Sequence, residues 1–542
     1  MNRSILVLAL GWLLVLTTVA RAEPLSGSVD IDLKKVVNPN IIGCGVNFAF
    51  SDYEYIDFEN GAEWTNIHSQ QIPYPNDKKE WASFNRLMDY MGFQYVRFCV
   101  GLMQWEPVND DTDPYHLNLT DGFVFSPGFK NAHPEVKKNA IIYMDQMHRL
   151  LDHWEKRDLY VVLANWGVSS TNFCPRNQNW MVVKDESGHP LEPKDRTTMN
   201  LANVDEFTES LTAIMYHLKR EKHYSCVQGI SVWNEPEQMT DYFGTMSRVY
   251  RSLSDQLRRH GIRDDVKIQA FDGAVFWNRE CGQNDDAVTR MMRLTANDLD
   301  IISIHDYNTT LEYASGPKKS SIPDLTIRSN VIPAIEQAAK ARPGRETPVI
   351  LGEFGSSLIM GENGDAGAEA KYLQRLHSAE GAAQALNNGA KAIAFWTYNG
   401  NYHKHWRMVT FDEKNPSHFV PDKTNYYPLA LLMKYIKRGS DIVSTEVNGL
   451  TDENGVPRVF ATTATLGKDV TILLVNDSES SATVKLKGLE GKRHLCQHYV
   501  TNDSHDRINS GETMASGATT ITLLPQSITI LTTYSYGSET VD

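Results

Sequence analysis

Two glutamates of the chain follow short apolar runs. Glu235 lies in the segment ISVWNEP (residues 230–236), and Glu353 lies in the segment VILGEFG (residues 349–355). An apolar run that ends in a polar residue is typical of a buried strand. A pair of carboxyl groups, one protonated and one ionised, can split a glycosidic bond through an oxocarbenium-like transition state. The two glutamates are therefore candidates for an acid and a nucleophile, if the fold brings them together.

Arg97 is the candidate for a charge that would keep one of these carboxyl groups ionised. It lies in the apolar run YVRF (residues 95–98). A nearby carboxylate raises the pKa of its neighbour, whereas a nearby positive charge lowers it. An arginine at the rim of the site would therefore separate the two pKa values and leave one glutamate ionised.

The spacing of apolar residues predicts a (β/α)8 barrel. Between residues 40 and 440, short apolar or β-branched runs alternate with longer segments of helical period, as in βα units around a parallel sheet. Eight such runs can be counted, which is the number that closes a barrel. The predicted strands are residues 41–50, 94–100, 159–166, 228–233, 266–271, 301–305, 348–353 and 392–396. Glu235 and Glu353 then follow the fourth and seventh strands, at the C-terminal end where barrels carry their sites.

The segments between the runs are predicted to be helices. In residues 204–219, apolar side chains recur at intervals of three and four and share one face. The other predicted helices are residues 81–91, 140–156, 241–260, 287–297, 331–341 and 369–387. The loops after the second and third strands are long, and long loops on a rigid scaffold usually shape a binding site.

The pattern changes near Gly439. From there the helical period disappears, and alternating Val, Thr and Leu runs such as residues 458–465, 470–475 and 483–486 predict an antiparallel β-sandwich. Residues 26–33 alternate in the same way, and we expect this N-terminal strand to pair with the sandwich. The predicted domains are an N-terminal strand segment (23–40), the catalytic barrel (41–438) and the sandwich (439–542).

The first 22 residues are predicted to be a secretory signal peptide. The short start MNR is followed by an apolar run over residues 5–19 and by Ala20-Arg21-Ala22, a small-residue cleavage site. The run is shorter than the roughly 20 residues of a membrane span. We therefore expect an extracellular or periplasmic protein that has no membrane association after cleavage.

The composition indicates which classes of binding partner are disfavoured for this chain. The formal net charge of −14 argues against nucleic acid and anionic membranes, both of which select basic surfaces, and favours an uncharged substrate. The six cysteines are widely spaced and form no CxxC pair, so they indicate neither a zinc site nor a redox motif. Export permits disulfides, but the spacing identifies no pairing.

The barrel segments resemble glycoside hydrolase clan A. Members of this clan carry Asn-Glu-Pro at the end of the fourth strand and a nucleophilic glutamate at the end of the seventh. Here Asn234, Glu235 and Pro236 match the first feature and Glu353 matches the second. The resemblance covers the barrel. It implies a retaining hydrolase that cleaves β-glycosidic bonds of plant or microbial oligosaccharides and polysaccharides by double displacement, without a cofactor.

The resemblance also implies roles for individual residues. Glu235 is implied to be the general acid/base, Glu353 the nucleophile, and Asn234 the residue that binds the sugar 2-hydroxyl. Four more residues match the clan pattern on the second, sixth and eighth strands and are expected to bind substrate: Arg97, His305, Tyr307 and Trp396.

Aromatic side chains near the predicted strand ends are candidates to stack on the apolar faces of sugar rings. These are Trp166, Trp180, Trp277, Trp396, Tyr398 and Trp406. Asn165, beside Trp166 at the end of the third strand, is a further candidate for a polar substrate contact.

The pair His403 and His405 has to be weighed as a metal site. In metal-dependent barrel hydrolases such a pair lies on the first strand, whereas here it follows the eighth, next to Lys404 and Arg407. We therefore expect a loop that lines the substrate site, and no bound metal.

Several alternatives stay open. WNEPE (residues 233–237) and the sandwich resemble family 39, whereas NEP with GEF also suits family 5. Glu237 is the alternative acid, although it follows Pro236. Sugar specificity and exo or endo action depend on loops, and the oligomeric state is open. The alternative function is a non-catalytic carbohydrate-binding protein on the same scaffold, which hydrolysis of a glycan would exclude.

Overall fold

The computed structural model describes most of the chain after its first 23 residues. The predicted signal peptide, and much of the loops after the second and third strands, lie outside the described residues. The described residues are 24–49, 78–101, 105–106, 111, 113–117, 119–120, 123–124, 134–165, 204–236, 241–273, 286–295, 298–308, 330–356, 367–399, 405–412, 415–489, 494–511, 514–515 and 519–534.

Strands of the described residues form the barrel, a second sheet of ten strands, and two two-stranded sheets. In chain order they are β1 (Leu25–Asn38), β2 (Gly43–Ala49), β3 (Tyr95–Val100), β4 (Leu119–Thr120), β5 (Phe123–Val124), β6 (Tyr160–Asn165), β7 (Val227–Ser231), β8 (Lys267–Gly273), β9 (Ile301–Asn308), β10 (Val349–Ser356), β11 (Ala392–Phe395), β12 (Val409–Asp412), β13 (Asn415–Pro421), β14 (Asp441–Asn448), β15 (Val459–Leu466), β16 (Asp469–Asn476), β17 (Ala482–Lys487), β18 (His494–Thr501), β19 (Ser504–Ser510), β20 (Met514–Ala515), β21 (Thr519–Leu523) and β22 (Ser527–Thr532). The two-stranded sheets are β4-β5 and β12-β13.

The α-helices of the described chain follow the predicted positions, with one more after the eighth barrel strand. They are α1 (Lys78–Met91), α2 (Pro134–Glu155), α3 (Val204–Tyr216), α4 (Tyr242–Arg259), α5 (Ala287–Leu294), α6 (Ile332–Ala341), α7 (Ala368–Asn387) and α8 (Lys423–Tyr435). Where the sequence predicts one helix over residues 204–219, α3 ends at Tyr216 and a π-helical turn (His217–Glu221) follows.

Eight parallel strands close into a barrel, in the order β2-β3-β6-β7-β8-β9-β10-β11, and β11 pairs with β2. These are the first to eighth barrel strands, and each overlaps one predicted run. The runs are nearly continuous in apolar residues because a parallel strand is buried on both faces. The fold class predicted from the sequence is confirmed.

Apolar side chains close one end of the barrel interior. Most come from the N-terminal halves of the strands: Tyr95, Val162, Ile301, Ile350, Ala392 and Ala394. The helices pack outside, where their apolar faces join those of the strands in a larger core. The polar groups inside the barrel therefore gather at the opposite, C-terminal ends of the strands.

The second sheet has ten strands, in the order β19-β18-β22-β16-β15-β14-β1-β17-β21, with β20 beside β18. Along β16 the side chains alternate between two cores. Ile472 and Leu474 join the interior of the sheet domain, whereas Leu473 and Val475 pack with the barrel helices. Both faces are buried, which fits a sandwich docked on the barrel.

The N-terminal strand β1 lies within this second sheet. It pairs antiparallel with β14, for example Val29 with Val447, and parallel with β17, for example Val29 with Leu486. The second pairing is a parallel connection in a sheet that the sequence predicted to be antiparallel. Because β1 leads directly into β2, the chain crosses between the two units once before the barrel sequence and once after it, and the two crossings lie side by side, with Ile41 N–H bonded to the carbonyl of Ser440 at 2.9 Å.

The four described cysteines, Cys44, Cys99, Cys226 and Cys496, are free thiols. Burial raises the pKa of Cys44 to about 12, which keeps it protonated and inert. Among the described helices, none is both long enough and apolar enough to cross a membrane.

Tyr372 of α7 joins the barrel to the sheet domain. Its buried hydroxyl lies 3.0 Å from the carbonyl oxygen of Val500 and 2.8 Å from that of Gln526. Near the other end of α7, Asn387 donates to the carbonyl of Ala461 at 2.8 Å. These contacts tie one helix to three parts of the sheet.

We expect Tyr372→Phe to lower the free energy of unfolding by about 1–3 kcal/mol, because buried carbonyl groups lose a donor that water cannot replace. Chemical denaturation followed by circular dichroism measures the change. Tyr499→Phe, at a half-buried position of the same sheet, is the control and should change stability by less than about 0.5 kcal/mol. Equal effects of the two substitutions would contradict this role of Tyr372.

Candidate active site

The C-terminal ends of the barrel strands bring together most of the residues singled out in the sequence. These are Arg97 on β3, Asn165 on β6, Asn234 and Glu235 after β7, His305 and Tyr307 on β9, Glu353 on β10 and Trp396 after β11. Trp166, Trp180, Trp277, Glu237 and His403 lie outside the described residues.

The guanidinium of Arg97 lies at the centre of this group and is completely buried. Its Nη1 donates to Glu353 Oε1 at 2.8 Å and to Asn47 Oδ1 at 2.8 Å. Its Nη2 donates to Asn234 Oδ1 and to Asp272 Oδ2, both at 2.6 Å, and Nε also faces the Asp272 carboxylate. An arginine has five N–H donors, and here each has an acceptor.

Asp272, at the end of the fifth strand β8, is a site residue that the sequence analysis missed. Its carboxylate is 1% exposed and accepts hydrogen bonds from five side chains: Arg97, Ser231, Gln269, Ser303 and His305. Phe271 and Asp272 both have positive φ, at 69° and 49°, and the pairing of β8 with β9 shifts register there. This bulge turns the carboxylate into the barrel.

Glu353 also lies at a bulge. The pairing of β10 with both neighbouring strands shifts register just after Leu351. A Cβ atom on Gly352 would lie 2.0 Å from Ser303 Oγ, so only glycine fits at this position. Glu353 Oε2 accepts a hydrogen bond from the Tyr307 hydroxyl at 2.7 Å, and the carboxylate is 5% exposed.

Glu235 follows the fourth strand in a strained turn. Its φ is 50°, and its backbone N–H donates to the carbonyl of Asp272 at 2.8 Å. The preceding residue, Asn234, is held in the same way by the carbonyl of Asn165 at 3.0 Å. The Glu235 side chain is 36% exposed, so it faces the open end of the barrel while Glu353 is enclosed.

His305 lies between the carboxyl groups. Its Nδ1 is 3.1 Å from Glu235 Oε1 and 3.6 Å from Glu353 Oε2, and its Nε2 is 3.3 Å from Asp272 Oδ1. Burial lowers the pKa of this imidazole, but the charge of Glu353 and the contacts with Asp272 and Glu235 outweigh burial and raise the pKa to about 10. His305 is therefore a cation at neutral pH.

Burial and charge act in opposite directions on the other groups. Burial raises the pKa of Glu353 above its ordinary value, and the charges of His305 and Arg97 and the Tyr307 hydrogen bond limit the rise. Burial also acts to raise the pKa of Asp272, but Arg97 and His305 reverse this and hold that carboxyl far below its ordinary range. Burial and the Glu353 charge keep Tyr307 protonated by raising its pKa well above 10.

Aromatic side chains line one side of the site. Trp396 and Trp406, 6% and 7% exposed, pack with Cys99 and with the ring of Tyr307. The Trp406 and Tyr307 ring centroids are 5.2 Å apart, and the Trp406 indole donates to the carbonyl of Ser356 at 3.2 Å. We call Trp396 and Trp406 the aromatic wall.

Three expectations from the sequence are corrected. Arg97 is not at the rim, because it is buried and its donors face protein acceptors; a substrate contact is therefore the wrong role for it. Tyr398 is not a subsite wall, because it is completely buried among Phe48, Phe84 and Phe93. Asn165, 1% exposed, donates to the Val232 carbonyl at 3.2 Å and so fixes the turn before Glu235.

Asn47 is a second residue that the sequence analysis missed. Besides accepting from Arg97, its amide donates to the carbonyls of Gly352 and Ala394, both at 3.0 Å. It thus fixes three neighbouring strands and Arg97 together. The available signal was a polar residue at the site end of an apolar run: Asn47 lies within residues 41–50, and Asp272 directly follows residues 266–271.

One group of described residues could hold a metal ion by geometry alone. One ligand atom each of Glu235, His305 and Glu353 lie within 4.8 Å of one another. Both oxygens of Glu353 already accept hydrogen bonds, and His305 is positively charged, so this group suits a cation poorly. His405, from the histidine pair weighed in the sequence, is not part of this group. Burial lowers the pKa of its imidazole to about 4, and the centroids of its ring and the Trp406 ring are 4.3 Å apart.

Comparison with known proteins extends the likeness from motifs to the fold. No protein-family model matches the chain, and no curated protein matches it in sequence. A family 30 subfamily 8 xylanase from Clostridium acetobutylicum is similar in structure, with a TM-score of 0.55 and 12% identity over 93% of this chain and 99% of that one. A family 51 α-L-arabinofuranosidase from Bifidobacterium longum has a TM-score of 0.57, with the same identity and coverage.

A conserved exported protein from Bacteroides fragilis has a TM-score of 0.60 and 12% identity, over 93% of this chain and all of that one. At such identities the likeness establishes the fold. The chain has the barrel and sheet architecture of glycoside hydrolase families 30 and 51, which belong to clan A, as the sequence motifs implied. Families 30 and 51 differ from families 39 and 5, which the sequence motifs resemble.

We expect Asp272→Asn to lower the free energy of unfolding by about 3–5 kcal/mol, because two buried cations lose a shared counter-charge. Chemical denaturation measures the change. Asp255→Asn is the matched control, since Asp255 pairs with Arg258 on the surface and should contribute less than about 1 kcal/mol. If the two substitutions had similar effects, the buried cluster would not depend on Asp272.

The raised pKa of His305 makes its stabilisation depend on pH. The folded protein binds this proton more tightly than the unfolded chain, so the stabilisation is complete below the ordinary value of 6.5 and is lost as the pH rises through about 10. We expect the difference in unfolding free energy between wild type and His305→Gln to shrink across this interval. His116→Gln, at an exposed histidine, is the control and should show no such change with pH. If the stability difference between wild type and His305→Gln did not depend on pH, His305 would be neutral in the folded protein.

Proposed function

We propose that the chain is a retaining glycoside hydrolase that cleaves β-glycosidic bonds of plant or microbial oligosaccharides and polysaccharides by double displacement. The observation that carries this proposal is the separation of Glu235 and Glu353, one oxygen of each lying within 4.8 Å of the other. Carboxyl groups about 5–5.5 Å apart suit a covalent intermediate, whereas about 6.5–9.5 Å leaves room for an attacking water. The short separation favours retention.

In this proposal Glu353 is the nucleophile. Arg97 and Tyr307 each donate to one of its oxygens, which orients the carboxylate toward the anomeric carbon. The adjacent positive charges oppose the effect of burial and favour the ionised form. The carboxylate is enclosed, so water competes little with the sugar for its lone pairs.

Glu235 is the general acid in the first step and the general base in the second. It is the more exposed of the two carboxyl groups, so the oxygen of a leaving group can reach it. Its turn is bonded to the two strands that flank β7, since the Asn234 N–H donates to the carbonyl of Asn165 and the Glu235 N–H to that of Asp272. A rigid backbone limits the positions that the carboxyl group can adopt during proton transfer.

The charges around the pair favour this change of role. Arg97 and His305 are positive and Asp272 and Glu353 negative, so these four groups are neutral in sum and a proton on Glu235 preserves that balance. When Glu353 forms an ester with the sugar, it loses its charge and the four groups become positive. The excess positive charge then favours the ionised Glu235 that must take a proton from water.

Asn234 and the aromatic wall complete the sugar site in this proposal. The Asn234 carbonyl oxygen is bound by Arg97, which leaves the Nδ2 donor for the sugar 2-hydroxyl. Trp396, Trp406 and the face of Tyr307 supply apolar surface beside Glu353. His305 and Arg97 act through the carboxyl groups in this arrangement.

We also propose the division of labour along the chain. Residues 1–22 direct secretion, residues 41–438 carry the reaction, and residues 23–40 and 439–542 support the barrel. The burial of both faces of β16 supports a structural role, because such a sheet has little surface for a separate glycan-binding site.

We expect Glu353→Gln to reduce hydrolysis of an aryl β-glycoside by roughly 10⁴-fold or more, since the amide cannot form the intermediate. The amide is chosen over alanine because Glu353 pairs with buried Arg97, and an isosteric group preserves the packing. For the wild-type protein, NMR of the first product should show retained anomeric configuration, and a 2-fluorosugar should label Glu353. Glu237→Gln is the control and should keep most of the activity, whereas its inactivation would move the acid to Glu237.

The substrate panel should include aryl β-xyloside, β-glucoside, β-mannoside, β-galactoside and α-L-arabinofuranoside. The last of these tests the proposed β specificity against cleavage of an α-linked sugar. An inverted first product would contradict the mechanism. Binding of oligosaccharides without turnover or labelling would instead support a carbohydrate-binding protein.

A further inference from the structure

Arg375 of α7 is a second completely buried arginine, outside the cluster around Arg97. Its Nε donates to Asn425 Oδ1 at 2.9 Å, its Nη1 to the carbonyl of Trp396 at 3.4 Å, and its Nη2 to the carbonyl of Trp406. Among the described residues no carboxylate lies within 4.0 Å of it. Burial lowers its pKa to about 9, so it is positive at neutral pH.

Asn425 of α8 adds further hydrogen bonds to the same segment of main chain. It too is completely buried, and its Nδ2 donates to the carbonyls of His405 at 3.1 Å and Arg407 at 2.9 Å. With the Arg375 bond to Trp406, three consecutive carbonyl groups are therefore held by two side chains. Hydrogen bonds from a cation to buried carbonyls are stronger than neutral ones, so this segment has little freedom.

The segment held in this way carries part of the aromatic wall. Trp406 packs on Tyr307, which donates to Glu353, and Trp396 packs beside Trp406. Arg375 bonds the main chain of both tryptophans. It does not touch the carboxyl pair, yet it fixes the surface next to it.

We propose that Arg375, acting with Asn425, is a positioning residue that fixes the aromatic wall and thereby sets the affinity for the sugar. This inference rests on the proposed glycosidase function. Its physical basis is that a stacked ring contributes to binding only if it is held in place before the ligand arrives, because ordering it on binding would consume the gain. The acid and nucleophile are anchored through Arg97 and Asp272 instead.

The test compares Arg375→Met with Arg342→Met. Arg342 is also buried and donates to a backbone carbonyl, that of Leu299, but it lies at the opposite end of the barrel. For Arg375→Met we expect KM for an aryl β-glycoside to rise about tenfold or more, the effect of losing a stacked contact, while kcat stays within about threefold. Arg342→Met should change neither constant.

A second readout does not depend on activity. Oxidation of tryptophan by N-bromosuccinimide, mapped by mass spectrometry, should become faster at Trp406 in Arg375→Met and stay unchanged at the core residue Trp154. Unchanged KM and unchanged Trp406 oxidation in a folded variant would overturn the proposal. If wild type hydrolyses no glycoside, the proposed function fails, and the oxidation rates alone decide whether Arg375 positions Trp406.

If Arg375→Met does not fold, Asn425→Ala provides the same test from the other side. It removes the bonds to His405 and Arg407 and keeps the arginine charge. We expect the same direction of change in KM and in Trp406 oxidation. A folded Asn425→Ala variant with wild-type values for both would likewise overturn the proposal.

Discussion

The burial of Arg97 is the constraint on which the site depends. A guanidinium without water is stable only if its five donors meet acceptors in fixed directions. Asn47, Asn234, Asp272 and Glu353 supply those acceptors, from the first, fourth, fifth and seventh strands or the turns that follow them. One side chain therefore fixes the relative position of half of the strand ends. The relative position of Glu235 and Glu353 therefore depends on the hydrogen bonds of Arg97.

Asp272 offsets part of the positive charge that Arg97 and His305 place beside Glu353. Two cations beside a nucleophilic carboxylate would stabilise its charge and lower its reactivity, since stabilisation of the ground state slows the reaction. Asp272 contacts both cations, at 2.6 Å and 3.3 Å, and so shares their charge with Glu353. Asp272 itself stays ionised at neutral pH, because the charge of Arg97 and the contact with His305 outweigh burial and hold its pKa far below the ordinary range. The proposed nucleophile is thus kept ionised without being fully neutralised.

The sequence predicted the barrel well because burial on both faces makes parallel strands continuous apolar runs. It placed Glu235 and Glu353 because motifs mark them. It missed Asp272 because an aspartate after an apolar run has the same local sequence whether it faces solvent or the barrel interior, and a bulge with positive φ decides which. The expectation that Tyr398 lines a subsite was wrong for a related reason: a position near a strand end does not determine which way a side chain points, and Tyr398, three residues beyond the end of β11, is buried in the core.

Helix α7 links the sheet domain to the aromatic wall. Tyr372 bonds carbonyls of the sheet, and Arg375, less than one turn later, bonds carbonyls of the wall. A helix is stiff over one turn, because its backbone hydrogen bonds couple neighbouring residues. Docking of the sheet therefore fixes the position from which Arg375 reaches Trp406. In this arrangement a sheet that has no place in the proposed chemistry still restricts the geometry of the sugar site, which gives a physical reason for the firm docking of the two units.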